Sequence, residues 1–246
     1  MEPLKPMTVD MADYEYAGEG ANGVSYNHRR DPDVMLKMYQ PGKVQQPLDE
    51  MLIARKVFAA GIPTPEPGDY VTDGVRYGIR FRRIRGKQSY ARAVGDHPED
   101  VVRYAGEFAD MCRKLHATHV DTTAFECVKD RYARQLEANP FFSSVEKDRL
   151  LRFIMDAPDT DTAIHGDLQF GNAIFVGDER YFIDLGDFCY GYPLFDIGMV
   201  YCTAFISEPG FVREAFHMEQ ETAVLFWRAF AAAYFGTGRP LRAPGV

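Results

Sequence analysis

The run His165-Gly166-Asp167-Leu168-Gln169-Phe170-Gly171-Asn172, with Asp184-Leu185-Gly186 beginning twelve residues beyond its end, constrains this chain more than any other feature. Two carboxylates and a carboxamide so far apart can act together only if the chain between them doubles back. It has the means: Ala173 to Val176 and Tyr181 to Ile183 read as strands around a Gly177-Asp178 turn. A polar loop therefore flanks each side of a short hairpin. Asp167 is placed to orient a hydroxyl and accept its proton. Asn172 and Asp184 are hard oxygen donors of the kind magnesium prefers. Together the D-x-x-x-x-N…D pattern supplies what phosphoryl transfer asks of a protein, a base and metal ligands.

The first third of the chain reads as strands. Asp13 to Ala17, Val24 to Asn27 and Val34 to Tyr39 alternate or are rich in aromatic and β-branched residues. Helical spacing runs from Leu48 to Ala60 and stops at Gly61, a normal helix end. Strands at Asp69 to Thr72 and Val75 to Ile84 flank Asp73-Gly74, a hairpin signal. Beyond Arg85-Gly86 the pattern becomes helical, at Pro98 to His116, Ala124 to Glu137, Val145 to Met155, Leu194 to Ile206 and Glu219 to Tyr234. The expectation is an α+β chain of two lobes, a β-rich lobe over 1–85 and a mostly helical lobe over 86–246, meeting near Arg82 to Lys87.

Two features of the first lobe bear on chemistry. Gly18-Glu19-Gly20-Ala21-Asn22-Gly23 leads into Val24-Ser25-Tyr26, a strand rather than the helix that a dinucleotide fold would need. Such a glycine hairpin can lie over phosphates, or be a plain turn. Lys37 is a cation in the middle of an apolar strand. Buried without a partner it would cost several kcal/mol. Phosphate and a carboxylate would serve it, with Glu50, on the helix face of Ala54 and Val57, or its neighbour Asp49 as the carboxylate. A snorkelling edge-strand lysine is the other reading.

On these residues the chain resembles the aminoglycoside phosphotransferase and choline kinase family, relatives of the protein kinases. The resemblance runs from Gly18 to about Tyr234 and includes Gly191-Tyr192-Pro193-Leu194-Phe195-Asp196. It implies a bilobal protein-kinase-like fold, ATP or GTP, and Mg²⁺. It implies that Gly18, Gly20, Asn22 and Gly23 contact the nucleotide, and that Lys37 paired with Glu50 holds the α- and β-phosphates. Asp167 is then the base, Asn172 and Asp184 bind metal, and Asp196 braces the catalytic loop. The loop reads H-G-D rather than H-R-D, and D-L-G stands where protein kinases have D-F-G. Eleven residues separate Asp184 from Asp196, which leaves no room for an activation segment and a peptide platform. The expected acceptor is therefore a small hydroxyl compound. A nucleotide-binding pseudokinase, acting as sensor or scaffold, is the alternative.

Composition narrows the partners. A net charge of −8 makes the chain a poor binder of nucleic acid and a better host for a cationic acceptor. Cys112, Cys127, Cys189 and Cys202 are scattered, which fits a reducing compartment and signals no zinc site. The N-terminus shows no apolar core of a signal peptide, and apolar runs such as Ala229 to Phe235 are too short to span a bilayer. A cytoplasmic enzyme without a membrane partner is expected. Some residues stay ambiguous. Cys112, His116 and His119 could form a metal site, though His116 also suits packing at a helix end. Asp187 could face a cationic substrate or cap a helix, and Phe226, Trp227, Phe230 and Tyr234 could be core or an acceptor wall. Arg82, Arg83 and Arg85 read as a solvated edge.

Overall fold

The computed structural model describes residues 4–20 and 22–236. Ala21 of the glycine run, the first three residues and the end of the expected second lobe lie outside the described residues. The chain divides into two compact units, Met1–Gln88 with Ile174–Gly186, and Ser89–Ala173 with Asp187–Val246. The expected division at residue 85 keeps the hairpin before Asp184 in the second lobe. In the structure that hairpin belongs to the first unit.

The first unit is built on a six-stranded sheet. Its strands are β1 (Met7–Thr8), β2 (Tyr14–Gly20), β3 (Gly23–His28), β4 (Val34–Tyr39), β5 (Pro67–Thr72) and β6 (Tyr77–Arg82), in the order β1-β5-β6-β4-β3-β2. All pairs are antiparallel except β1 with β5. Alternation along β4 separates two cores. Leu36 and Met38 pack with Val9, Tyr14 and Val71 on one face. Tyr39 packs with Met51, Tyr70 and Ile79 on the other. Helix α1 (Gln45–Ala59) covers this second face with Met51, Ala54 and Val57. It starts three residues earlier than Leu48, because Pro47 is tolerated in a first helical turn. Strand β6 starts later than Val75, since the Asp73 carboxylate accepts the amides of Val75 (3.0 Å) and Arg76 (2.7 Å) and holds both in the turn. The later hairpin docks by its own backbone, the Phe182 amide donating to the Pro63 carbonyl at 2.8 Å. Gln88–Ser89 forms a two-residue strand, β7.

The second unit is helical. Helices α2 (Tyr90–Asp96), α3 (Val101–His116), α4 (Val128–Ala138), α5 (Ser144–Met155), α6 (Leu194–Phe205), α7 (Pro209–Phe216) and α8 (Gln220–Phe235) follow in order. Helices α2 and α7 fall where the sequence pattern predicts only connections. Each is one or two turns long and starts at a local signal, the Ser89 hydroxyl accepting the Arg92 amide for α2 and Pro209 at the first turn of α7. Expected from Ala124, α4 begins at Val128 because 126–127 is extended: the Tyr190 amide donates to the Glu126 carbonyl at 3.0 Å, and Cys127 bridges Tyr190. Short strand β8 (Ala163–Ile164) pairs with a strand at Cys189–Tyr190. Half of the aromatic stripe of α8 is core: Phe226 and Phe230 are fully buried, 5.7 and 5.4 Å from the Phe108 ring of α3, while Trp227 and Tyr234 are half-buried.

Candidate active site

In the first unit the glycine run forms the β2–β3 hairpin, with a register shift between Tyr16 and Gly18. Its glycines differ in why they are glycines. A Cβ at Gly23 would sit 2.2 Å from the Met38 carbonyl oxygen, so β3 can approach β4 only without a side chain there. Gly18 and Gly20 have open space beside them. Asn22 is exposed, and its Oδ1 accepts from the Gln46 side chain at 3.3 Å, which ties the loop to the start of α1.

Lys37 projects from the middle of β4 toward α1. Its Nζ donates to both Glu50 oxygens, at 2.8 and 3.0 Å, and to Asp184 Oδ1 at 2.6 Å. Asp49, the competing partner, is exposed and accepts from Gln45. One helical step decides this, since adjacent residues of a helix point about 100° apart. Burial alone would lower the Lys37 ammonium, but the Glu50 and Asp184 carboxylates overcome it and hold the group above its ordinary value. Burial pushes the Glu50 carboxyl up, with Lys37 pulling it back. Asp184 itself is held at φ 61, the left-handed region, which costs an L-residue about 1–2 kcal/mol.

A third partner of this cluster carried no sequence motif. Tyr39, two residues along β4 and on the same face as Lys37, donates its hydroxyl to Glu50 Oε2. Its ring lies 5.1 Å from the ammonium. Burial and the Glu50 charge both push the phenol up, so it stays protonated and donating. Tyr39→Phe is expected to cost about 1.5–3 kcal/mol, the range for hydrogen bonds to charged groups. Urea unfolding would check it, and an unshifted midpoint would show that the bond adds nothing. The alternation of β4 puts positions 37 and 39 side by side, so the signal was present, but only α1 packing shows what the hydroxyl meets.

In the second unit, the loop that carries Asp167 is fixed from several sides. Leu168 and Phe170 are fully buried. Phe170 meets the Phe216 ring edge-on at 4.8 Å and the tilted Phe226 ring at 5.0 Å, and its carbonyl accepts the Ala91 amide at 2.9 Å. Asn172 Nδ2 donates to the Asp167 carbonyl at 3.0 Å and to Asp167 Oδ2 at 2.9 Å, so the amide orients the carboxylate. Asp196, wholly buried in the first turn of α6, accepts the His165 amide at 2.7 Å and the Gly166 amide at 2.9 Å. His116 Nε2 meets the same carboxylate at 3.1 Å, and its Nδ1 meets the Tyr234 hydroxyl at 2.8 Å. His116 is thus spent on packing and hydrogen bonds, and His119 pairs with exposed Asp161 at 2.6 Å. Among the described residues no group of three or more His, Cys, Asp or Glu forms a metal cluster. Asp187 is exposed and lies 3.7 Å from Arg131. Arg85 pairs with Asp33 at 3.4 Å on the surface. No described helix is long and apolar enough to cross a membrane.

The family model described as the phosphotransferase enzyme family matches residues 18–234. No curated protein matches. Among solved structures, the chain is similar to an aminoglycoside phosphotransferase, APH(3'')-Id, from Streptomyces rimosus (21% identity, 91% of this chain and 86% of that one, TM-score 0.58). It is also similar to a thermostable variant of APH(4)-Ia solved with ADP and hygromycin B (13% identity, 92% and 88% covered, TM-score 0.57). A choline/ethanolamine kinase family protein from Mesorhizobium loti matches at 18% identity, with 91% and 69% covered and a TM-score of 0.51. At such identities the likeness is one of fold, a mixed-sheet unit and a helical unit of the protein-kinase-like kind. The family model spans most of the chain, and with it the loop, the lysine and the carboxylates described above: this chain belongs to the phosphotransferase enzyme family.

Proposed function

We propose that the protein transfers the γ-phosphate of ATP or GTP to a hydroxyl of a small molecule, with Asp167 as the base. The observation that carries this reading is the Lys37–Glu50–Asp184 cluster, one cation held at 2.8 and 2.6 Å by two carboxylates from different elements. Such a lysine is fixed in direction by Glu50 and can meet α- and β-phosphate oxygens, as in other phosphotransferases. Gly18, Gly20, Asn22 and Gly23 offer backbone amides to the same phosphates. Asp167, its Oδ2 fixed by Asn172, takes the proton of the attacking hydroxyl.

The donor set suits magnesium. Asp184 supplies a carboxylate and Asn172, whose Nδ2 is used on Asp167, has its Oδ1 as an oxygen donor. Such carboxylate and amide oxygens are the kind of donor magnesium takes alongside phosphate oxygens and water. When bound, the ion would offset charge on the phosphates. Solved relatives carry hygromycin B with ADP, and streptomycin with ADP, both cationic hydroxyl compounds. A net charge of −8 supports a cationic acceptor here too.

The test is a coupled assay for ADP and GDP release with Mg²⁺, run over streptomycin, gentamicin, hygromycin B, choline and ethanolamine. Acceptor-dependent release is the expected result. Magnesium-dependent nucleotide binding without turnover on any acceptor would favour the pseudokinase, and no nucleotide binding would overturn the reading.

A further inference from the structure

Arg131, on the first turns of α4, is 9% exposed and carries no motif. Its guanidinium reaches three ways. Nε donates to Glu126 Oε2 at 3.2 Å, Nη1 donates to the Asp187 carbonyl, and Nη2 donates to the Phe188 carbonyl at 3.4 Å. Gly166, the residue before Asp167, lies against that same Asp187 carbonyl. It has φ +84, and a Cβ built on it would fall 1.9 Å from the Asp187 oxygen and 2.9 Å from Arg131 Nη1. The H-G-D glycine is therefore required by contact with a peptide that the guanidinium grips. On its N–H side the same loop is held by Asp196.

We propose that Arg131 is a positioning residue for the phosphoryl-transfer base: by locking the Asp187–Phe188 backbone against Gly166, its guanidinium seats the loop that carries Asp167. The inference rests on the function proposed above. It uses what is particular to arginine, a planar fork whose donors point to a carboxylate and two carbonyls at once. A lysine is a point charge and cannot span all three. The anchor of the fork is itself firm. The Arg131 amide donates to the Cys127 carbonyl at 3.1 Å, and the 126–127 strand is fixed to Tyr190.

The test compares wild type, Arg131→Lys and Arg131→Gly. Hydrogen–deuterium exchange, followed over the 165–172 and 187–188 segments, should rise in both variants while α3 and α8 keep their protection. With MgATP and an acceptor active in the panel above, kcat should fall about 10²-fold, as expected for a base displaced by an ångström, with MgATP affinity unchanged. Millimolar guanidinium ion should restore part of the Arg131→Gly rate and not that of Arg131→Lys. Wild-type exchange in Arg131→Lys would overturn the proposal, as would kcat and nucleotide affinity falling together with a general loss of protection. Exchange needs no acceptor, so it decides the inference even where the panel shows no turnover, a result that would count against the function alone.

Discussion

Asp167→Asn should lower turnover by about 10²–10⁴-fold, the range for loss of a general base, while MgATP affinity stays at the wild-type level. The substitution keeps the shape of the side chain. An Asn oxygen can still accept from Asn172 Nδ2, which meets Asp167 Oδ2 at 2.9 Å, and the buried anchors Leu168 and Phe170 are untouched. What is lost is basicity, because a carboxamide does not take up a proton near neutral pH. The Lys37 cluster belongs to the other unit and has no part in that change. Acceptor-dependent ADP release gives the rate, and titration of a fluorescent nucleotide analogue gives the affinity. Full activity in the variant would show that another group takes the proton.

Lys37→Met should have the largest effect on stability, about 3–5 kcal/mol, the usual cost of removing one member of a buried ion pair. Glu50 is only 5% exposed and Asp184 30%, so water can compensate the second carboxylate but hardly the first. The Tyr39 hydroxyl remains on Glu50, which limits the loss. The pH dependence has a definite sign. The ammonium is held above its ordinary value of 10.5, so the folded state binds its proton more tightly than the unfolded chain. From neutral pH up to 10.5 the advantage of wild type over the variant should be complete, and it should shrink as pH rises further. Urea unfolding at pH 7 and above 10.5 would check both statements. An unchanged midpoint at pH 7 would mean that desolvation of the three charges cancels their attraction. MgATP binding should weaken strongly in the same variant if Lys37 meets the phosphates as proposed, and unchanged MgATP affinity would count against that role.

Much of this was legible in the residues alone. The strand at 34–39 and the long α3 and α8 helices follow from local periodicity, which a segment carries whatever it packs against. The D-x-x-x-x-N…D spacing needs only a hairpin, and the chain supplies its turn. The short helices α2 and α7 escaped because one or two turns give too little periodicity to rise above their connections. Long-range partners of charged groups escaped for a different reason, although Glu50 is legible in the sequence as the partner of Lys37. Lys37 meets Asp184 across 147 positions of sequence, and Arg131 meets Asp187 across 56. Such pairs depend on which helix face turns inward, and no local pattern encodes that.

The sequence by itself determined which chemical groups are present and how they are spaced: the Asp167 carboxylate, the Asn172 amide, the Asp184 carboxylate and the strand lysine Lys37. It also singled out Glu50 for Lys37, by the helix face it shares with Ala54 and Val57, and the structure shows that pair. Tertiary structure alone decided the other meetings: it added Asp184 to the lysine, put the Tyr39 hydroxyl on Glu50, spent His116 on Asp196, and brought Arg131 to the backbone behind Gly166. The physical reason is the same in each case. A charge or donor removed from water must find its partner among whatever neighbours packing provides, and packing is a property of the whole chain.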